Sequence, residues 1–173
     1  TGPYGVLSSF KITDPNGIIY TFSAKEKSMS HSPCTAYSGS PMSYKIINSW
    51  FLTEIKHPTG DIINLIYETK NIVYGNGASH NLTLQTGFSY ECASKEENRF
   101  CLNVSTTESQ YLKEINSLNY GKVLFTYSQK TDMPINMDKL DKIAVYDKDN
   151  NLLKEQIFDY QSYSSLGSGA SIL

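Results

Sequence analysis

Arginine is nearly missing from this chain. Arg99 is the only one, and the 15 Lys and Arg residues face 17 Asp and Glu residues, for a net charge of −2. A cluster of bidentate guanidinium clamps is therefore excluded, and nucleic acid is not the expected partner, because phosphate binding needs a basic excess. Tryptophan occurs once, as Trp50, and cysteine three times, at Cys34, Cys92 and Cys101. No cysteine pair has the close Cys-x-x-Cys spacing of a structural zinc site. No apolar run approaches the roughly 18–20 residues of a membrane-spanning helix, so no membrane span is expected. The chain opens Thr1-Gly2-Pro3, without Met and without a charged-then-apolar leader. It reads as an excised piece of something longer or as a mature form.

What is present can build a core. Hydrophobic residues make up 39% of the chain, with 13 Tyr and 7 Phe, too many for wholesale disorder. The expectation is one all-β domain over residues 1–173, a fragment of a larger protein. The richness in Tyr, Ser and Asn fits an exported protein. Cys92 and Cys101 flank residues 93–100, a charged stretch that reads as a hairpin loop. Across such a loop the two form a disulfide worth roughly 2–3 kcal/mol, or else stay reduced as core fillers. Cys34 is then odd and reads as a small buried apolar residue.

Internal repetition organises the rest. Ile12-Thr13-Asp14-Pro15-Asn16-Gly17 and Ile55-Lys56-His57-Pro58-Thr59-Gly60 share one pattern. Proline presets φ at the second turn position, and the glycine two residues on supplies φ > 0 to return the chain. Alternating runs follow, Ile18, Tyr20, Phe22 in one and Ile63, Leu65, Tyr67 in the other, as half-buried strands require. Leu112-Lys113-Glu114-Ile115 repeats Leu52-Thr53-Glu54-Ile55; Gly121 takes the turn, and Val123, Phe125 and Tyr127 share a face. Leu140-Asp141-Lys142-Ile143 opens a fourth unit, which turns at Asp149-Asn150-Asn151 and places Gln156, Phe158 and Tyr160 on one face. Four hairpin units are thus expected at residues 10–22, 52–67, 111–127 and 140–160. In a regular strand Leu and Ile three apart lie on opposite faces, so either both faces are covered or a bulge intervenes.

Between the units, residues 25–41 read as a long Ser-rich loop and residues 44–48 as a short strand. Residues 72–74 and 82–92 read as strands separated by a Gly75-Asn76-Gly77 turn, with residues 100–105 pairing back onto 86–92. Residues 130–137 read as a connecting loop, and the Gly- and Ser-rich residues 164–173 as a flexible tail. No helix is expected.

The Leu-x-x-Ile opening, the turn with its glycine, and the alternating strand ending in aromatic-x-Tyr resemble the bacterial RHS or YD-repeat proteins. The likeness is closest in Trp50-Phe-Leu-Thr-Glu-Ile-Lys-His-Pro-Thr-Gly-Asp61, Tyr111-Leu-Lys-Glu-Ile115, and Leu140-Asp-Lys-Ile-Ala-Val-Tyr-Asp147 with Phe158-Asp-Tyr160. It covers about two thirds of the chain, as a divergent member or as the region preceding regular repeats. The Tyr-Asp dipeptide occurs once in these units, at Tyr146-Asp147, and a long insertion separates Glu68 from Gln110. The resemblance implies consecutive antiparallel hairpins zipped into one curved, coiled sheet. It also implies a scaffold or shell role at the cell surface or in secretion, and no catalytic residues.

The chemistry-bearing residues agree with that expectation. His31, His57 and His80 read as loop or turn residues without the clustered carboxylates of a metal centre. Asp147-Lys148-Asp149-Asn150-Asn151 lacks the glycine and closing glutamate of a calcium loop. Gly167-Ser168-Gly169 lacks the strand-to-helix setting of a phosphate loop. Glu96-Glu97 reads as a solvated loop. The expected function is non-enzymatic, with no catalytic residue, metal or cofactor. The expected partners are the rest of the parent polypeptide and a protein or glycan. The alternative is a glycan- or protein-binding module using Trp50, Phe51, Tyr44 and Tyr37. Open sheet edges would pair with other copies unless the long loops cover them.

Overall fold

The computed structural model describes residues 7–31, 44–83, 97–130 and 137–161. Eight strands form a single antiparallel sheet in chain order. They are β1 (Phe10–Thr13), β2 (Ile19–His31), β3 (Ile46–Lys56), β4 (Ile62–Thr83), β5 (Glu97–Ser117), β6 (Gly121–Gln129), β7 (Asp138–Tyr146) and β8 (Leu152–Ile157). The described residues contain no helix.

The turns follow from local chemistry. At Asp14 the main chain accepts from the Gly17 amide at 3.0 Å and donates to the Ile18 carbonyl at 3.0 Å. The Asp14 carboxylate takes the Asn16 and Ile18 amides at 2.9 Å each. Gly17 sits at φ 81°, the left-handed residue that closes a three-residue hairpin loop. The same ring of bonds recurs with His57, Gly60 and Asp61, and with Asp147, Asn150 and Asn151. Asn150 supplies φ 64° where the other two loops use glycine.

The Leu-x-x-Ile motif is where sequence left two options, and the register selects the bulge. Phe22 faces Leu52 and Thr21 faces Glu54, so Thr53 is the extra residue. Tyr67 faces Leu112 and Ile66 faces Glu114, leaving Lys113 over. Tyr127 faces Leu140 and Thr126 faces Lys142, leaving Asp141 over. The inserted residue returns Leu and Ile to the same face. There Ile55, Ile115 and Ile143 oppose Tyr20, Leu65 and Phe125.

Each bulge is held from both sides. The extra residue binds the residue after the facing aromatic: Thr53 with Ser23 at 2.8 Å, Lys113 with Glu68 at 2.9 Å, and Asp141 with Ser128 at 2.9 Å. The leucine carbonyl accepts the hydroxyl of its own unit's closing tyrosine. Tyr67 donates to Leu52 at 2.9 Å, Tyr127 to Leu112 at 3.0 Å, and Tyr160 to Leu140 at 2.8 Å. The residue before each leucine then covers that tyrosine ring. Phe51 lies 5.6 Å from Tyr67, Tyr111 lies 5.3 Å edge-on to Tyr127, and the Lys139 ammonium sits 5.3 Å over Tyr160. The tyrosine clasps its hairpin where the two strands part, and in the second and third units the outgoing strand goes on to pair with the next unit.

Five sequence expectations are corrected. Residues 25–31 are strand, not loop, because β2 continues to His31, held by β3 and then by β5. Gly75-Asn76-Gly77 is not a turn. β4 runs through it with a register shift at Gly77, whose φ of 130° glycine tolerates. Residues 100–105 pair with residues 74–80, not with 86–92, because the β4–β5 ribbon continues to Thr83 and Glu97. The loop expected at 93–100 accordingly gives way to strand from Glu97, and His31 and His80 lie in strands; only His57 is in a turn. The tail at 164–173, and residues 32–41 of the expected loop, lie outside the described residues.

β2 pairs with three strands. Residues 19–22 pair with β1 and residues 19–28 with β3, so those two flank opposite edges. Residues 27–31 pair with residues 104–108 of β5, on the edge that β1 uses further back. The pairings β2–β3, β3–β4, β4–β5 and β5–β2 therefore complete a circuit, and the sheet is rolled rather than flat. Gln110 continues the β2–β5 seam past its last main-chain pair. Its side-chain amide donates to the Lys25 carbonyl at 2.9 Å and to Thr69 at 2.9 Å. Among the described residues the buried ones are Ile72, Cys101, Ala144 and Ser105. Ser105 shares a 2.8 Å hydroxyl contact with its cross-strand partner Ser30.

Candidate functional site

The segment that sequence nominated for binding surrounds Trp50, and it does form a groove. Leu7, Lys27, Lys45, Ile46, Ile47 and Trp50 line a space of about 530 Å3. Trp50 is half-buried in β3, edge-on to Phe10 at 6.2 Å, and Phe10 stacks on Phe22 at 4.8 Å. The Trp50 indole nitrogen is covered and has no hydrogen-bond partner among the described residues. Tyr44 is 72% exposed at the entry to β3, and Ile46 is 65% exposed. Phe51 is used in packing on Tyr67. Tyr37 lies outside the described residues.

Charge collects on one side of the groove. Glu108 receives a hydrogen bond from Lys45 and an ion pair from Lys27 at 3.5 Å, and Lys27 is its cross-strand partner. The Lys45 hydrogen bond, with the charges of both lysines, holds the Glu108 carboxyl below the usual range. A depressed acid stabilises the fold above its unfolded-state pKa, near 4.5, and that contribution disappears as pH falls through the native value. Because the pair is partly exposed, the effect is small. Glu108→Gln should lower the melting temperature by about 1–3 °C at pH 7. The gap between variant and parent should close as the pH is taken well below 4.5; a gap that persists there contradicts the assignment.

A second concavity, of about 440 Å3, lies against β2, β3, β4 and β5, lined by Glu26, Ser28, Asn48, Ile72, Tyr74 and Thr107 among others. Its lining is hydroxyl, amide and apolar, with one carboxylate. Lys70 pairs with Asp138 while lying 5.7 Å over the Tyr111 ring, and the Asp138 hydrogen bond raises the Lys70 pKa. Asp147 is held low by the Asn151 side chain and by the Asn151 and Asp149 amides, which it collects as a turn residue. Among the described residues no group of three or more His, Cys, Asp or Glu is placed to hold a metal ion. No helix there is long and apolar enough to cross a membrane.

Cys101 is buried and disulfide-bonded. Cys92 and Cys34, the two candidate partners, lie outside the described residues, as does Glu96. The residues that sequence reading did not single out are Lys27, Lys45, Glu108 and Gln110. The β2–β5 pairing sets Lys27 against Glu108, which Lys45 reaches from just before β3, and brings Gln110 to the Lys25 carbonyl, across sequence separations no local pattern encodes.

No protein-family model matches this chain, and comparison with curated proteins and with solved structures gives no match either.

Proposed function

We propose that this chain is a non-enzymatic scaffold module of a bacterial surface or secreted protein of the RHS/YD-repeat kind, forming part of a curved wall or shell. The observation that carries the reading is the recurring clasp at Leu52 and Tyr67, Leu112 and Tyr127, and Leu140 and Tyr160. A binding or catalytic device is needed once, whereas this one recurs in three of the four units and spends its aromatics on packing. The sparse burial supports the same reading, since a wall one sheet thick leaves its side chains half-covered. Antibody raised against this chain tests the location. It should label intact producing cells or their medium; label confined to the cytosol after lysis sinks the proposal.

A second reading, a glycan- or protein-binding module, is favoured by the Trp50 groove, whose covered indole donor has no partner among the described residues, and by the exposed Tyr44 beside it. Trp50 is the only tryptophan, so its fluorescence reports the groove directly. A saturable change on titration with an oligosaccharide would favour the binding reading. Unchanged emission across an oligosaccharide panel is the result the scaffold reading expects.

A further inference from the structure

The four units do not end alike. In the first three, the outgoing strand is covered by the incoming strand of the next unit: β2 by β3, β4 by β5, and β6 by β7. The closing aromatics Phe22, Tyr67 and Tyr127 each face a leucine of that incoming strand, and Tyr20, Leu65 and Phe125, two residues earlier, each face its isoleucine. In the fourth unit the corresponding residues are Tyr160 and Phe158. Phe158 and Tyr160 bond inward to Asp141 and Leu140, but among the described residues no strand faces them on the outer side, and β8 pairs with β7 alone. Tyr160 already makes its clasp to Leu140, so the unit is complete on its inner side. All six residues of β8 are exposed, Leu153 and Ile157 at 64% and 65%. Such an edge is a template for a further strand.

The geometry points to this β8 edge as an acceptor for one kind of partner, an extended segment carrying Leu-x-Lys-Ile. Its leucine lies opposite Tyr160, its isoleucine opposite Phe158, and the residue after the leucine bulges out. The lysine follows from position. The residue between the two aromatics is Thr21, Ile66 and Thr126 in the filled units, facing Glu54, Glu114 and Lys142. In the empty unit it is the exposed Asp159. A glutamate directly opposite an aspartate is repelled, and a lysine is attracted. A second copy of this chain offers a poor match at its own free edge. β1 is four residues long and has Ser9 three positions before Ile12, where leucine is required. This inference rests on strand register and goes beyond the scaffold reading, which can fail on location while the edge still binds.

The test uses the whole chain and a synthetic peptide of the Asp138–Tyr146 sequence, which carries Leu-Asp-Lys-Ile. Binding should be saturable and should slow amide hydrogen exchange across residues 155–160, with exchange in β6 unchanged. A Leu140→Asp peptide should bind about tenfold more weakly or worse, having lost the buried side chain. A Lys142→Glu peptide should bind about two- to fivefold more weakly. Asp159→Lys in the protein, an exposed change that leaves β7–β8 pairing intact, should reverse that preference. Absence of protection at millimolar peptide overturns the inference, as does equal binding of the Leu140→Asp peptide. Concentration-dependent self-association that protects residues 155–160 without peptide also overturns it, by giving the edge to a second copy.

Discussion

Gly121→Ala should be among the most damaging single substitutions in the described structure. Gly121 sits at φ 116°, and a Cβ built there would lie 2.2 Å from the Tyr146 carbonyl oxygen and 2.7 Å from the Asp147 carbonyl carbon. Both obstacles are backbone at the β7–β8 turn, so no side-chain rotation relieves the clash. Strain at positive φ costs about 1–3 kcal/mol, and forcing the third and fourth hairpins apart adds about as much. The expected loss is about 3–5 kcal/mol, a fall of about 10 °C or more in melting temperature. Gly60→Ala is the control. Its φ of 101° is also positive, but nothing lies within 4 Å of the added atom. It should cost only the conformational part, about 1 kcal/mol. Equal losses in thermal or urea denaturation would show that close approach at Gly121 is not what the position requires.

Truncation of the middle clasp is the second large effect. The Tyr127 ring packs edge-on to Tyr111, lies under the Lys113 ammonium at 5.8 Å, and faces Leu140 across the strands. Tyr127→Ala should cost about 2–4 kcal/mol. Tyr127→Phe keeps the ring and loses only the bond to the Leu112 carbonyl, about 1 kcal/mol. Tyr160→Phe should cost less, because that hydroxyl is at the exposed end of the sheet. Urea denaturation of the three variants checks the order; a phenylalanine variant as damaging as the alanine one would remove the packing argument. Alkali offers a separate check. Burial raises the pKa of both Tyr67 and Tyr127 above the usual 10.0. Their contribution is whole below pH 10.0 and is lost as the pH rises toward the native values.

The turns and the four units are legible in the sequence because their determinants are local. Asp14 and Asp147 cap amides within four residues, and glycine or asparagine supplies positive φ where the loop needs it. The Leu-x-x-Ile spacing is legible as a problem, either two covered faces or a bulge, and only the partner strand supplies the answer. Residues 25–31 look like loop because Lys25, Glu26, Lys27, Ser28 and Ser30 have no apolar alternation. Their strand exists because β3 and β5 flank it, and its polar groups find distant partners in Glu108 and Ser105. Gly75-Asn76-Gly77 carries turn chemistry that a bulge uses equally well. Of the aromatics singled out in the sequence, Trp50 is the one described residue that lines the groove, whereas Lys45 and Glu108 come together through pairings that sequence spacing does not record.

The rolled sheet also dictates an order of assembly. The β2–β5 seam joins residues 27–31 to residues 104–108, a pairing far more distant in sequence than any of the hairpins. Non-local contacts of this kind form slowly, because the chain surrenders entropy before the contact rewards it. The hairpins at Asp14, His57 and Asp147 are short-range and quick by comparison. Refolding is therefore expected in two stages, with early hairpins at the turns and late locking of the seam through Gln110 and the Lys27–Glu108–Lys45 cluster.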